Sequence, residues 1–136
     1  MISVPIENDM IPLSQIMPIQ YSATSNHEYY GTTVPDVTAL LRGGKYDAAA
    51  EIYWATHAAR KANGAIQQKL NGGYFIDRMA WKFQGWLQGF NGGPLRLPTQ
   101  RIHDADMFAL RQGLLDSDLN PCMDPFREFF VGRNPA

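Results

Sequence analysis

Apolar positions in the second half of the chain repeat at helical intervals. One stripe recurs at spacings of four, three, four, three and four residues: Ala48, Ile52, Ala55, Ala59, Ala62 and Ile66. A second, largely aromatic stripe consists of Phe75, Met79, Phe83, Trp86 and Phe90. A third follows Asp104, a candidate helix cap, and consists of Met107, Leu110 and Leu114. The spacing predicts helices throughout residues 45–136.

The first third of the chain has a different pattern, in which two short strand candidates alternate with two helix candidates. Residues 2–6 are partly β-branched and interrupted by Pro5, which fits a strand end or edge. Residues 10–17 favour a short helix, residues 19–24 a second strand, and residues 35–42 a second helix. This order is typical of α/β proteins with parallel strands. Two short parallel strands do not form a stable sheet alone, so we expect helices or further protein to cover them.

Composition and charge exclude several classes of function. The chain has 136 residues, of which 45% are apolar and 18% charged, as expected for one globular domain. A formal net charge of −1 without a basic stripe argues against a nucleic-acid or anionic-membrane partner. The sequence contains neither a signal peptide nor the ~20 apolar residues of a membrane span, so we expect a cytoplasmic protein. The single cysteine, Cys122, forms no intrachain disulfide.

Two motifs, in this order, resemble those of a known enzyme family. The first is SATSN running into VPDVTALLRGGKYDAAAEIY, and the second is GFNGGPLRLPTQRI with MFALRQGLL after it. Together they resemble the C-terminal part of the dihydrodipicolinate synthase and N-acetylneuraminate lyase family over most of the chain. The residues that match the family's motifs are Ser22, Thr24, Asn26, Gly43 to Asp47, Gly93, Pro94, Arg96 and Pro98.

The resemblance implies a fold and a set of site residues. Members of this family are (β/α)8 barrels with added C-terminal helices, and they bind pyruvate or another 2-oxo acid as a Schiff base on a lysine. The implied fold is α/β: a partial (β/α)8 TIM barrel whose last two strand–helix units are residues 1–44, followed by a C-terminal helical extension in residues 45–136, so that the whole is mostly helical. By the same resemblance, the substrate-binding residues are Tyr21, Ser22, Thr24 and Asn26. Neither a cofactor nor a metal is implied.

The polar stretch YSATSNHEYYGTTVPD, residues 21–36, also has a purely structural explanation. Ser22 and Thr24 would satisfy neighbouring backbone groups, and Asn26 would fix a turn. His27 and Glu28 are adjacent, and adjacent side chains rarely point at each other, so they do not suggest an acid–base pair. Both explanations of the stretch, a substrate-binding rim and a structural loop, remain open from the residues.

The lysines do not match the family's chemistry. A Schiff-base lysine must lie desolvated in a pocket, and the chain has no lysine before Lys45. Lys45 follows a Gly-Gly turn, Lys61 and Lys69 lie on polar sides of a predicted helix, and Lys82 interrupts an aromatic one. We therefore expect none of them to be catalytic. The resemblance indicates the C-terminal part of a 2-oxo-acid-dependent Schiff-base aldolase (a lyase) or a related dehydratase, inactive as an isolated chain.

Three functional hypotheses follow. In the first, an N-terminal half-barrel polypeptide, or a homo-oligomer, completes the enzyme, and a 2-oxo acid binds only when the barrel is complete. In the second, the chain is a non-catalytic helical binding or scaffold protein derived from the family. In the third, it is an unrelated small enzyme that uses Ser22, Thr24, His27 or Glu28.

Overall fold

In the computed structural model of the chain, the described residues are 3–4, 9–22, 29–70, 78–95 and 102–133. They form two compact units, Met1–His57 and Ala58–Ala136. Within these ranges the structure has seven α-helices and one pair of very short strands.

The first unit contains three helices and the strand pair. Its elements are β1 (Ser3–Val4), α1 (Met10–Ser14), β2 (Tyr21–Ser22), α2 (Thr33–Arg42) and α3 (Tyr46–Ala55). β1 and β2 pair in parallel, with Ser3 opposite Tyr21 and Val4 opposite Ser22. The most extensive packing in the unit is between α2 and α3. Its core consists of Met10, Ile19, Val37, Leu41, Ala49 and Tyr53.

A Schellman-type turn reverses the chain between α2 and α3. The N–H of Lys45 donates to the carbonyl of Leu40 at 2.9 Å, and the N–H of Gly44 donates to that of Leu41 at 3.1 Å. Gly44 has φ +69°, a conformation that glycine adopts without a Cβ penalty. The helix predicted at residues 35–42 is confirmed and begins at Thr33.

The second unit is built on a buried aromatic cluster. Its helices are α4 (His57–Leu70), which begins at the boundary between the units, α5 (Arg78–Leu87), α6 (Asp104–Leu115) and α7 (Phe126–Val131). The rings of Phe83 and Trp86 on α5 stack with centroids 5.7 Å apart, and Phe129 of α7 meets Phe83 edge-on at 5.2 Å. All three side chains are fully buried. Rings in these geometries add attraction beyond their buried area, so the cluster joins α5 to α7.

The fold class expected from the resemblance is wrong: the part of the chain that the structure describes is of the all-α class and contains no partial (β/α)8 TIM barrel. β1 and β2 have two residues each, whereas a strand in a globular protein is typically about five or six residues long. In the described residues, α2 packs mainly on α3 rather than on a sheet. The alternation of strand and helix in the first third therefore corresponds to a short pair of parallel strands with a helix between them in the chain. It does not correspond to two strand–helix units of a barrel.

The first helical stripe is interrupted where the sequence predicts one continuous helix. Thr56 separates α3 from α4, and its hydroxyl donates to the carbonyl of Tyr53 at 3.0 Å. At this break Ala55 is exposed, although the stripe predicts it to be buried. α4 then has its own start, where Ser117 Oγ accepts the N–H of Ala59 at 3.0 Å. That contact satisfies one of the free N–H groups at the start of a helix.

The other two stripes are confirmed in large part. Met79, Phe83 and Trp86 are buried, as are the α6 residues Met107, Leu110 and Leu114. Phe90 follows α5 and is 57% exposed, so its predicted place in the aromatic face is wrong. Phe75 lies outside the described residues.

Two glycines give a matched test of how closely α4 and α6 pack. A Cβ at Gly113 on α6 would lie 2.8 Å from the Cβ of Ala62 and 3.1 Å from the carbonyl oxygen of Ala58. Gly64 on α4 has no such neighbour within 4 Å. We expect the overpacking caused by Gly113→Ala to lower the free energy of unfolding by about 1–2 kcal/mol. The higher helix propensity of alanine offsets part of this loss.

The control substitution, Gly64→Ala, is expected to raise the free energy of unfolding by about 0.5–1 kcal/mol, because alanine is the better helix former. Urea unfolding followed by circular dichroism measures both values. A stabilising effect of Gly113→Ala would show that the two helices separate readily and that the close contact is unimportant.

Candidate ligand pocket

The first unit contains a pocket beside the α2–α3 turn, with a volume of about 310 Å³. Its lining residues are Ser14, Pro18, Ile19, Leu41, Arg42, Gly44 and Tyr46. Small-molecule sites in proteins usually have volumes of roughly 300–1,000 Å³, so this pocket lies at the small end of that range.

The local structure places each lining residue. Ser14 is the last residue of α1, Arg42 is the last residue of α2, and Tyr46 is the first residue of α3. Ile19 and Leu41 belong to the buried core, with 8% and 7% of their surface exposed. The pocket therefore has a rigid apolar wall, provided by residues that also hold the helices together.

Polar residues also line the pocket. The hydroxyl of Tyr46 donates to the carbonyl of Ser14 at 3.4 Å, which links α3 to α1. The hydroxyl of Ser14 donates to the carbonyl of Ile11 at 2.7 Å, and its oxygen keeps accepting capacity. Arg42 is exposed and is the one charged residue among the described lining residues.

The two helix ends at the pocket differ in how far their backbone groups are satisfied. At the end of α2, the carbonyls of Ala39, Leu40 and Leu41 each accept a backbone N–H from the turn. At the start of α3, the N-cap residue Lys45 makes no side-chain capping bond. The partial negative charge at the end of α2 is offset by these hydrogen bonds, whereas the partial positive charge at the start of α3 is not offset by a side-chain cap. The net effect of the two helix ends is therefore positive and adds to the charge of Arg42.

The pocket is equipped for binding rather than for proton transfer. None of its lining residues is an aspartate, glutamate, histidine, lysine or cysteine, the usual general acids, bases and covalent nucleophiles. The hydroxyl of Ser14 has no such base beside it in this lining and is committed to a backbone carbonyl. The arrangement can hold a ligand by its charge and its apolar surface.

The structure describes two of the four residues predicted from the sequence to bind substrate, and of these two only the backbone. Tyr21 and Ser22 form β2, where the structure describes only their backbone pairing with β1. Thr24 and Asn26 lie outside the described residues, as do His27, Glu28 and Arg96. The substrate-binding role of Tyr21, Ser22, Thr24 and Asn26 stays a prediction.

Sequence reasoning missed the residues that do line the pocket. Arg42 and Tyr46 flank a Gly-Gly turn, which was read only as the end of a helix. The Gly-Gly turn is the sequence feature that could have indicated the pocket, because a tight reversal brings the end of one helix beside the start of the next. Ser14 carried no signal, since it lies 32 residues from Tyr46 along the chain.

All four lysines of the chain lie in the described residues, and each is solvated or paired. Lys45 and Lys61 are exposed. Lys69 Nζ lies 2.8 Å from Asp106 Oδ1, and its side chain is 58% exposed. Lys82 Nζ donates to the carbonyl of Pro94 at 3.3 Å on the surface. None of the four lies in a closed apolar pocket.

No candidate metal centre is present in the part of the chain that the structure describes. There, no group of three or more histidine, cysteine, aspartate and glutamate residues is arranged to hold a metal ion.

Cys122 donates its S–H to Asp124 Oδ2 at 3.4 Å near Arg111. Burial lowers the pKa of Arg111, while Cys122 and Asp124 partly counter that shift.

Among the described helices, none has both the length and the apolar character needed to cross a membrane. The cytoplasmic location stays a prediction.

Comparison with known proteins found no match to this chain among protein-family models, curated proteins or solved structures. The resemblance to the dihydrodipicolinate synthase and N-acetylneuraminate lyase family therefore rests on the motifs quoted above.

Proposed function

We propose that this chain is a non-catalytic helical binding protein derived from the Schiff-base aldolase family that its motifs resemble. The observation that carries the proposal is the environment of the lysines: all four are described, and none is enclosed in a pocket. The site that the helices do form, the pocket at the α2–α3 turn, has a charged group and apolar residues but no lysine among its described lining residues.

Schiff-base chemistry requires a neutral amine, which proteins obtain by removing a lysine from water or placing it beside another cation. Lys69 has the opposite surroundings, because the carboxylate of Asp106 lies 2.8 Å from its Nζ. Lys82 donates to a carbonyl, and Lys45 and Lys61 face solvent. Three of the four lysines, Lys45, Lys61 and Lys69, are therefore not removed from water.

Borohydride trapping with pyruvate tests the proposal. The chain is incubated with pyruvate and sodium borohydride, and its intact mass is measured. We expect no covalent adduct, since a reducible imine needs an activated lysine. A Schiff-base aldolase treated in parallel is the positive control. A mass increase located on any of the four lysines would overturn the proposal.

A second candidate is the helical part of a Schiff-base aldolase or dehydratase in which another polypeptide supplies the lysine. The exposed face of α6 favours it, because Phe108 and Leu115 are seven positions apart and are 62% and 39% exposed. Exposed apolar surface of this kind is common where proteins associate. Light scattering on the sample used for trapping separates the two candidates: a discrete folded monomer or a defined small oligomer supports the first, and heterogeneous or poorly folded material supports the second.

A further inference from the structure

We infer that the pocket at the α2–α3 turn binds a small monocarboxylate with an apolar tail. The inference rests on the proposed binding function and adds the chemical class of the ligand. Three features carry it: the size of the pocket, the presence of Arg42 in its lining, and the apolar residues that line it as well.

The volume sets the size of the ligand. The pocket measures about 310 Å³. A water molecule occupies about 30 Å³ in the liquid, so the space accepts about ten non-hydrogen atoms. A straight-chain carboxylate of about eight carbons has that number of atoms. Nucleotides are too large to be enclosed.

The positive charge of Arg42 determines which end of the ligand lies at the α2–α3 turn. Arg42 is the one charged residue among the described lining residues, and a guanidinium fits a carboxylate with two parallel hydrogen bonds. A carboxylate beside Arg42 therefore finds a cation. The hydroxyls of Ser14 and Tyr46 already donate to backbone carbonyls, so they add no donor for it.

The helix ends reinforce this choice. Gly44 and Tyr46 line the pocket on either side of Lys45, the N-cap of the ten-residue helix α3. The partial positive charge of this helix start has no capping bond from the side chain of Lys45. The negative end of α2 is offset by three backbone hydrogen bonds to its last carbonyls. Both conditions favour an anion over a cation.

The apolar lining residues select an apolar tail. Ile19 and Leu41 are nearly buried, and Pro18 completes the wall without a side-chain polar group. Each methylene that a ligand buries there is worth about a fourfold gain in affinity. Affinity should therefore rise with chain length until the pocket is full.

Isothermal titration calorimetry with sodium butanoate, hexanoate and octanoate tests the inference. We expect the affinity of the wild-type chain to rise roughly fifteenfold with each addition of two methylenes. Arg42→Gln is expected to weaken octanoate binding about tenfold or more, because a charge-assisted hydrogen bond is lost. Arg127→Gln is the matched control, since Arg127 is 82% exposed in the second unit, and it should bind octanoate like the wild type.

Two further titrations of the wild-type chain keep the test independent of how the variants fold. 1-Octanol should bind at least about tenfold more weakly than octanoate, since it lacks the carboxylate. Inorganic phosphate should also bind more weakly, since it lacks the tail. Equal binding of octanol or of phosphate, no binding of octanoate, or an unchanged affinity in a folded Arg42→Gln variant would overturn the inference. The borohydride result is separate: an adduct with pyruvate overturns the proposed function, whereas failed octanoate binding without an adduct overturns only the ligand class.

Discussion

Phe83→Ala is expected to lower the free energy of unfolding by about 3–5 kcal/mol, the range found for large aromatic truncations in protein cores. Phe83 is fully buried, with 0% of its surface exposed. Its ring contacts those of Trp86, Phe126 and Phe129, with centroids 5.7, 5.7 and 5.2 Å away. Truncation leaves a cavity among these rings, because α5 and α7 cannot both move into it.

Phe90→Ala is the matched control for this substitution. The sequence places both phenylalanines on the same aromatic stripe, but Phe90 is 57% exposed. We expect its truncation to cost less than about 1 kcal/mol, as for surface substitutions away from packed features. Urea unfolding of both variants measures the difference. Equal losses would mean that burial does not distinguish the two rings and that the described core is incorrect.

Gly92→Ala is expected to lower the free energy of unfolding by about 2–5 kcal/mol, the sum of backbone strain and overpacking. Gly92 has φ +75°, and a Cβ there would lie 2.6 Å from Trp86 Cδ1. The loop cannot retreat easily, because the N–H of Gly93 donates to the carbonyl of Phe129, and the N–H of Arg133 donates to that of Asn91, both at 2.6 Å.

Gly89→Ala separates the two causes. Gly89 also has a positive φ, +100°, but a Cβ there would have no neighbour within 4 Å. Only the backbone strain remains, so we expect a loss of about 1–2 kcal/mol. If both variants lost the same free energy, the close approach of Gly92 to Trp86 would have no energetic consequence.

The correction of the fold class changes the meaning of the motif at residues 21–26. In a barrel, Tyr21 and Ser22 would end a strand at the mouth, where substrates bind. In the all-α chain they pair with only two residues, Ser3 and Val4, in a minimal parallel contact. The polar residues after them therefore lose the scaffold that implied their role, and the pocket beside Arg42 becomes the better candidate for ligand binding.

Two elements of the structure followed directly from the order of the residues. The apolar spacing of Met107, Leu110 and Leu114 correctly predicted the buried face of α6. The glycine pair after Arg42 correctly predicted the end of α2. Helical periodicity and turn chemistry depend on residues within a few positions of each other, so the sequence contains all the information that they need.

The fold class and the pocket depended on contacts between distant residues. Nothing in the local pattern shows that the strand candidates pair over only two residues, or that Thr56 breaks the first stripe. Ser14 and Tyr46 meet across 32 positions because α1 packs beside the start of α3. Propensity is a weak guide where packing decides, since a side chain is buried only when a neighbour arrives to cover it. Helix positions were therefore readable from the sequence, whereas the pocket exists only where the packed helices leave space between them.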